Sequence, residues 1–296
     1  MISTKKQPQR ATIYNMKVII ISAFSFIIGA CLGSFLCCQA RRFRRKELGQ
    51  KPLGRRSVCN HCHYKLKWYD NIPIVSWLIL KGKCRKCGKK IGLAELLSEL
   101  GTGITFVMLT LYAIIVGGYQ VFLSRTSYLA GPPLPLIIAM GIVLFILVLS
   151  LIFLAIYDGL YGELPSLCLT FSITCAIIML TLKEWAILSI SSFTPELIYK
   201  PLLSFLILGG IYLVLYLISK GRWVGDGDWL LGAAIGLTLF EPWLALVALF
   251  LANITACLVM YPIVKSKKNH HVHFGPFLVV AFVITLSFSK FFLSML

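Results

Sequence analysis

Long apolar runs separated by short polar stretches dominate the pattern of this chain. A helix needs about 20 apolar residues to cross a bilayer, and five runs reach that length: 18–38, 95–118, 134–157, 164–182 and 201–219. The run 229–264 is too long for one span, and Glu241-Pro242 predicts a tight turn within it. Proline is tolerated in the first turn of a helix and disfavours helical geometry in the residue before it. The pattern therefore predicts two spans there, 229–240 and 243–264, and a last one at 274–294, which makes eight transmembrane helices.

The composition supports an all-α polytopic membrane protein. Of the 296 residues, 58% are hydrophobic and only 14% are charged, with a mean hydropathy of +0.84. A soluble domain normally has about 25% charged residues, so these values exclude soluble, disordered and coiled-coil classes. We expect no cleavable signal peptide, because the first apolar run is long enough to span the bilayer.

The net charge of +18 is distributed unevenly across the predicted spans. One side would carry 21 of the 29 Lys and Arg residues, in the loops 39–94, 158–163, 220–228 and 265–273. The positive-inside rule places that side in the cytoplasm and both termini outside. The basic run from Arg41 to Lys46 is interpreted as fixing topology and attracting anionic headgroups.

The loop 39–94 carries two Cys-x-x-Cys pairs, formed by Cys59, Cys62, Cys84 and Cys87. Two such turns can complete a tetrahedral site of four thiolates with no open position, which predicts structural zinc. Redox-active pairs or disulfides are alternatives, although a cytoplasmic loop disfavours stable disulfides. Neighbouring His61 and His63 are expected to be bystanders. Between the pairs, residues 68–78 are aromatic and apolar, which favours docking to a membrane or peptide over nucleic-acid binding.

Three of the four aspartates lie where predicted spans meet the cytoplasmic loops: Asp158, Asp226 and Asp228. An ionisable group at the edge of hydrocarbon suggests function, although loop acids and helix N-caps also occur there. Asp158 and Asp228 come from different spans on one side. If they meet, one would hold a proton while the other acts as a base, which suits peptide hydrolysis. An intramembrane aspartyl hydrolase and an ion or proton pathway both fit these residues.

Several motifs together resemble the type IV prepilin peptidases (prepilin leader peptidases). They are Gly33-Ser34-Phe35-Leu36, the cysteine pairs with the segment Trp68–Leu78, Glu95-Leu96-Leu97, Asp158 with Leu164-Pro165, Gly225-Asp226-Gly227-Asp228, and Phe274-Gly275-Pro276-Phe277. The chain departs from the usual family pattern at Ser166 and at Ile91-Gly92.

The resemblance implies a GxGD-type aspartic endopeptidase in a bacterial inner membrane, with Asp158 and Asp228 as the catalytic pair and Asp226 at the variable position. It would cut the basic leader from prepilins or pseudopilins, ahead of their hydrophobic helix, on the cytoplasmic side. Many members also N-methylate the new terminus with S-adenosylmethionine, for which the sequence assigns no residues. A non-enzymatic membrane scaffold or ion pathway is the alternative.

The predicted organisation has three parts and no nucleic-acid partner. Residues 1–38 form an external N-terminus and the first span, 39–94 a small zinc-ribbon-like cytoplasmic loop, and 95–296 a seven-helix protease core. The bilayer and prepilin-type substrates are the expected partners, and no oligomeric state is predicted. We also hypothesise that Trp68, Tyr69 and Trp77 recognise the scissile region.

Overall fold

The computed structural model of the protein describes residues 6–50, 57–59, 61–126, 133–189, 192–221, 224–266 and 273–295. Asn60 of the first cysteine pair and the loop lysines Lys267 and Lys268 lie outside these residues. The chain forms two compact units, Met1–Gly118 and Tyr119–Leu296. The functional division at residues 38 and 94 stays a prediction.

The first unit contains two long helices and the cysteine loop. Helix α1 is Lys6–Glu47, α2 is the short Val75–Ile79 after a single 3₁₀ turn, and α3 begins at Leu93 and extends to Thr126. Helices α1 and α3 approach closely at small residues, where a Cβ on Gly29 would lie 2.8 Å from the carbonyl oxygen of Thr102. A hydrogen bond from Thr110 Oγ1 to Ser25 Oγ (2.9 Å) joins them further along.

Helix α1 continues beyond the predicted end of the first span. The basic run 41–46 is helical rather than part of a loop, because Arg, Lys, Gln and Glu are good helix formers. The helix ends at Glu47, and Gly49, two residues beyond it, has a φ of 63°. The N–H of Gly49 bonds to the carbonyl of Lys46, and that of Gln50 to Arg45, as is common where glycine ends a helix.

The second unit is a helical bundle. Its helices are α4 (Leu134–Tyr161), α5 (Ser166–Leu188), α6 (Glu196–Phe205), α7 (Ile211–Ser219), α8 (Asp228–Leu239), α9 (Pro242–Ser266), α10 (Gly275–Ser287) and α11 (Ser289–Leu293). A π-helical turn, Leu206–Gly210, joins α6 to α7 into one apolar segment of 24 residues. The predicted turn before Pro242 is confirmed, since α9 begins at that proline.

Apolar helices lie at the positions of the predicted spans. Six described helices are long and apolar enough to cross a bilayer, and α8 and α10 are shorter apolar helices. Each of the eight predicted spans therefore coincides with an apolar helix. Within the described ranges the only β pairing is two isolated bridges in the cysteine loop, so the all-α fold class with a four-cysteine loop is confirmed.

Helix α8 is the centre of the second unit. Nine of its twelve residues are buried, and α5, α6, α7, α9, α10 and the π-helical turn all contact it. A Cβ on Gly232 would lie 2.7 Å from the carbonyl oxygen of Leu208. Glycine thus allows the π-helical turn to lie directly against the α8 backbone, which fixes the position of the first residue of α8.

Candidate active site and metal centre

Asp158 lies in the last turn of α4 and is 95% buried. The backbone N–H of Gly275, at the start of α10, donates a hydrogen bond of 2.8 Å to Asp158 Oδ2. A Cβ on Gly275 would lie 2.8 Å from the same oxygen, so only glycine permits this approach. The beginning of α10 therefore orients the carboxyl group of Asp158.

Asp228 is the first residue of α8 and is also buried. Its Oδ2 accepts a hydrogen bond of 2.9 Å from the N–H of Gly225, so the carboxyl group closes its own turn. At Gly227 a Cβ would lie 2.7 Å from the Cβ of Leu164, which explains the second glycine of this motif. Asp226, in contrast, is exposed. The two acids of the Gly-Asp-Gly-Asp turn thus differ in burial: Asp228 is buried and Asp226 is exposed.

The two buried acids lie at the same end of the second unit, although they belong to different helices. Gly227, next to Asp228, packs against Leu164 in the turn that follows α4 and Asp158. In α7, the hydroxyl of the buried Tyr212 accepts a hydrogen bond of 3.1 Å from Asn253 Nδ2. Two carboxyl groups in one low-dielectric site can divide the roles of base and acid.

One neighbour of Asp158, His273, carries no signal in the sequence pattern alone. His273 Nδ1 lies 3.9 Å from Asp158 Oδ1, and the histidine ring packs against Gly162, where a Cβ would be 2.7 Å from the ring. Gly162 has a φ of 70° and ends α4. The turn after α4 therefore brings a second polar group to Asp158, which only the spatial proximity of residues 158 and 273 reveals.

In the first unit, the four predicted cysteines form one cluster. The sulfurs of Cys59, Cys62, Cys84 and Cys87 all lie within 4.8 Å of one another, and the Cys59–Cys87 and Cys62–Cys84 pairs are 3.9 Å apart. A tetrahedron with Zn–S bonds of about 2.3 Å has S–S edges of about 3.8 Å. None of the four is in a disulfide. The donor set and its spacing therefore fit a metal ion, and neither neighbouring histidine belongs to the cluster.

The two cysteine turns have the same backbone design. In each turn the carbonyl of the first cysteine accepts a hydrogen bond from the residue four positions later, His63 at 3.0 Å and Gly88 at 2.9 Å. Both of these residues have a positive φ, 53° and 67°. His63 is thus the backbone counterpart of Gly88.

Backbone groups prepare one of the thiols for metal binding. The N–H groups of Cys87 and Lys86 lower the pKa of the Cys84 thiol to about 6. A thiolate, rather than a thiol, is the metal ligand, so these two backbone donors favour the metal-binding form of Cys84.

The aromatic segment between the cysteine pairs divides into outward and inward residues. Trp68 is 79% exposed. Tyr69, in contrast, is covered by Arg85, whose guanidinium carbon lies 5.1 Å from the centre of the tyrosine ring. The same Arg85 donates a hydrogen bond of 2.8 Å to the buried Asp70. Trp77 packs against Gly82, and its indole nitrogen is buried. Only Trp68 therefore has the exposure expected of a recognition residue.

Comparison with known proteins explains this combination of features. The model of the bacterial peptidase A24 N-terminal domain matches residues 27–113. A prepilin leader peptidase/N-methyltransferase of Klebsiella pneumoniae is 29% identical over 219 residues, which is 72% of this chain and 83% of that protein. The chain is similar to prepilin peptidases over most of its length. The family resemblance of the sequence motifs is thereby confirmed.

Other prepilin peptidases match over shorter stretches. A relative with the same name from Myxococcus xanthus is 41% identical over 87 residues, and one from Vibrio cholerae is 35% identical over 119 residues. These alignments cover 25% and 47% of the length of the two relatives. No solved structure matches the chain.

Proposed function

We propose that this chain is a membrane-embedded aspartic endopeptidase that removes the basic leader from prepilins or pseudopilins. One observation supports it most strongly: two aspartates from different helices are buried at the same end of the second unit. The names of the relatives, prepilin leader peptidase/N-methyltransferase, supply the substrate class.

In this proposal Asp158 and Asp228 share the work of peptide hydrolysis. One carboxylate removes a proton from water as it attacks the scissile carbonyl, and the other carboxyl group gives a proton to the leaving amine. The Gly275 N–H and the Gly225 N–H hold the two groups in place. Asp226 is exposed and takes no part in the reaction.

The proposed cleavage side is the cytoplasm, because most Lys and Arg residues would lie in the loops at that end of the spans. The zinc loop would share that side and both termini would be outside. The protein would lie in a bacterial inner membrane, where a substrate with a hydrophobic N-terminal helix can approach through the bilayer.

The test is co-expression with a prepilin substrate, with leader removal followed by gel shift. Asp158→Asn and Asp228→Asn should each abolish cleavage, while Asp226→Asn, the matched control in the same turn, should cleave as wild type does. Loss of cleavage in Asp226→Asn with survival in Asp228→Asn would reassign the second catalytic role. Retained cleavage in all three would refute an aspartic mechanism and favour a scaffold or ion pathway.

We further propose that the four cysteines hold one structural zinc ion. Zinc is suited to four thiolates in a closed tetrahedron, and such a site contributes folding energy rather than catalysis. Metal analysis of purified protein should find one zinc per chain and much less in Cys62→Ser. A wild-type protein without bound metal would refute this proposal.

The second activity in the relatives' names is N-methylation. We propose that this chain also methylates the amino terminus exposed by cleavage. The neutral amine would take a methyl group from the sulfonium of S-adenosylmethionine; the S–C bond would break to release S-adenosylhomocysteine, and the methylated amine would lose one proton.

A further inference from the structure

The short helix α2 of the cysteine loop carries an apolar face that points away from the protein. Val75, Leu78 and Ile79 are spaced by three and four residues, so they share one side of the helix. These residues are 48%, 59% and 70% exposed. Ser76 and Trp77, in contrast, line a cavity within the first unit. Helix α2 thus has its apolar side outside, which is the reverse of a helix packed on a soluble core.

A hydrogen bond fixes α2 beside the first part of helix α3. The N–H of Ile74, the residue before α2, donates to the carboxyl Oε2 of the buried Glu99 at 2.6 Å. Ile74 has a φ of 64°, which is rare for a β-branched residue and persists only where the surroundings hold it. The orientation of α2, and with it the direction of its apolar face, is therefore set by α3.

The position of Glu99 gives the level of α2 relative to the bilayer. Residues Leu93–Ile115 of α3 are long and apolar enough to cross a membrane. Glu99 is the seventh residue of that segment, about 9 Å along the helix axis from Leu93. Interfacial helices bury their apolar face about 5–10 Å into the boundary between headgroups and acyl chains. Helix α2 is therefore attached at the depth where such a helix lies.

The charge of the cysteine loop matches an anionic lipid surface. Residues 57–92 contain eight Lys and Arg residues, all of them exposed, and a single acid, Asp70. Asp70 is buried and paired with Arg85. Lys81 and Lys83 lie just beyond the end of α2, and negatively charged headgroups attract basic residues near a membrane surface. An apolar face with basic residues at its edge is typical of a segment that lies in the membrane interface.

We propose that α2 docks onto the bilayer, with its apolar face of Val75, Leu78 and Ile79 inserted among the lipids. The lysines beyond α2 contact the anionic headgroups. A second copy of the chain or the apolar helix of a substrate are the competing occupants of this face. The bilayer is favoured because the hydrogen bond to Glu99 places the face beside a segment that itself lies in lipid. This inference does not depend on the proposed peptidase or methyltransferase function.

The experiment measures the depth of α2 in lipid nanodiscs that contain the full-length protein and phosphatidylglycerol. A fluorescent amino acid is introduced by codon suppression in place of Leu78, and its quenching by nitroxide-labelled acyl chains is compared with its quenching by aqueous iodide. Leu97, exposed on the α3 span, is the lipid reference, and Lys86, exposed in the second cysteine turn, is the aqueous reference. The ratio of nitroxide to iodide quenching at position 78 should be close to that at 97 and about fivefold above that at 86.

A polar variant tests the same contact without a probe. Leu78→Asn combined with Ile79→Asn removes most of the apolar face. Trypsin should then cut after Lys81 and Lys83 about tenfold faster in nanodiscs, because less apolar area holds the loop on the bilayer. The matched control, His63→Asn, places the same residue at an exposed position whose φ of 53° asparagine tolerates, and it should be cut at the wild-type rate. Circular dichroism and the thermal midpoint show whether each variant is folded.

Three results would overturn the inference. One is iodide quenching at position 78 as strong as at position 86. Another is shielding of position 78 that appears only when a prepilin is added, or that rises with the number of copies per nanodisc, which would assign the face to a substrate or to a second copy. The third is wild-type cleavage by trypsin in a folded polar variant. Lipid quenching at position 78 in a protein that cuts no prepilin would support the docking and count against the peptidase proposal alone.

Discussion

Replacing Gly275 with alanine tests how the start of α10 controls Asp158. The new Cβ would lie 2.8 Å from Asp158 Oδ2 and 3.3 Å from Cγ, whereas ordinary contacts of a Cβ are 3.4–4 Å. Asp158 and the α10 backbone must therefore separate by about 0.6 Å, which lengthens the 2.8 Å hydrogen bond between them. The substitution removes no functional group, so its effect on activity comes from position alone.

The size of the effect follows from the displacement. A misplacement of about 1 Å in a catalytic site can lower the rate about 100-fold. A shift of about 0.6 Å with a weakened hydrogen bond should lower prepilin cleavage about 10- to 100-fold, or about 1.4–2.7 kcal/mol in the barrier. We expect the protein to remain folded, because overpacking by one methyl group typically costs about 1–3 kcal/mol.

The matched control is Gly159→Ala, next to Asp158 in the chain. Its Cβ would meet Pro276 at 3.7 Å, an ordinary contact, so cleavage should be unchanged. Initial rates of leader removal in detergent-solubilised membranes, normalised to folded protein, give the comparison. Wild-type cleavage by Gly275→Ala would refute the role of this approach, as would equal losses in the two variants.

Three further predictions concern packing and the metal loop. Gly232→Ala should lower the free energy of unfolding by about 1–3 kcal/mol, because its Cβ would lie 2.7 Å from the carbonyl oxygen of Leu208; Gly141→Ala, with nothing within 4 Å, is the control, and equal thermal midpoints would contradict the packing. Asp70→Asn should destabilise the cysteine loop through loss of the 2.8 Å ion pair with Arg85, seen as faster zinc loss to a chelator; an unchanged rate would show that the pair does not support the loop. Removal of zinc should expose the cysteine loop to limited proteolysis while leaving the second unit resistant, and an equally resistant loop would argue against a structural metal.

The sequence predicts those features that depend on local pattern. Apolar run lengths predict the spans, and the turn before Pro242 follows from the stereochemistry of proline. The end of α1 at Glu47 is different, because hydropathy locates the lipid boundary whereas the helix continues through residues with good helix propensity. The helix α1 is therefore longer than the predicted membrane span. The basic run lies within the helix but outside the span.

The immediate surroundings of the aspartates depend on contacts distant in sequence. Topology brings Asp158 and Asp228 to one end of the bundle, but the donor to Asp158 is a backbone N–H 117 residues away. No residue type marks such a donor, since every residue except proline has one. Trp68 and Trp77 are the same residue type in one short segment, so composition alone does not predict that Trp68 is exposed and that Trp77 faces inward.

The shortness of α8 has a consequence for how the protein enters the membrane. A helix of twelve residues is about 18 Å long, well below the roughly 30 Å of a hydrocarbon core. Alone it would leave backbone ends and an aspartate in lipid, so it should insert with α9 as a hairpin around the turn at Pro242. Nine of its twelve residues are buried, and α10 is the last in chain order of the helices that contact it. Asp228 therefore reaches its final position only after translation of the bundle is almost complete, which keeps the nascent chain from carrying an assembled aspartate pair.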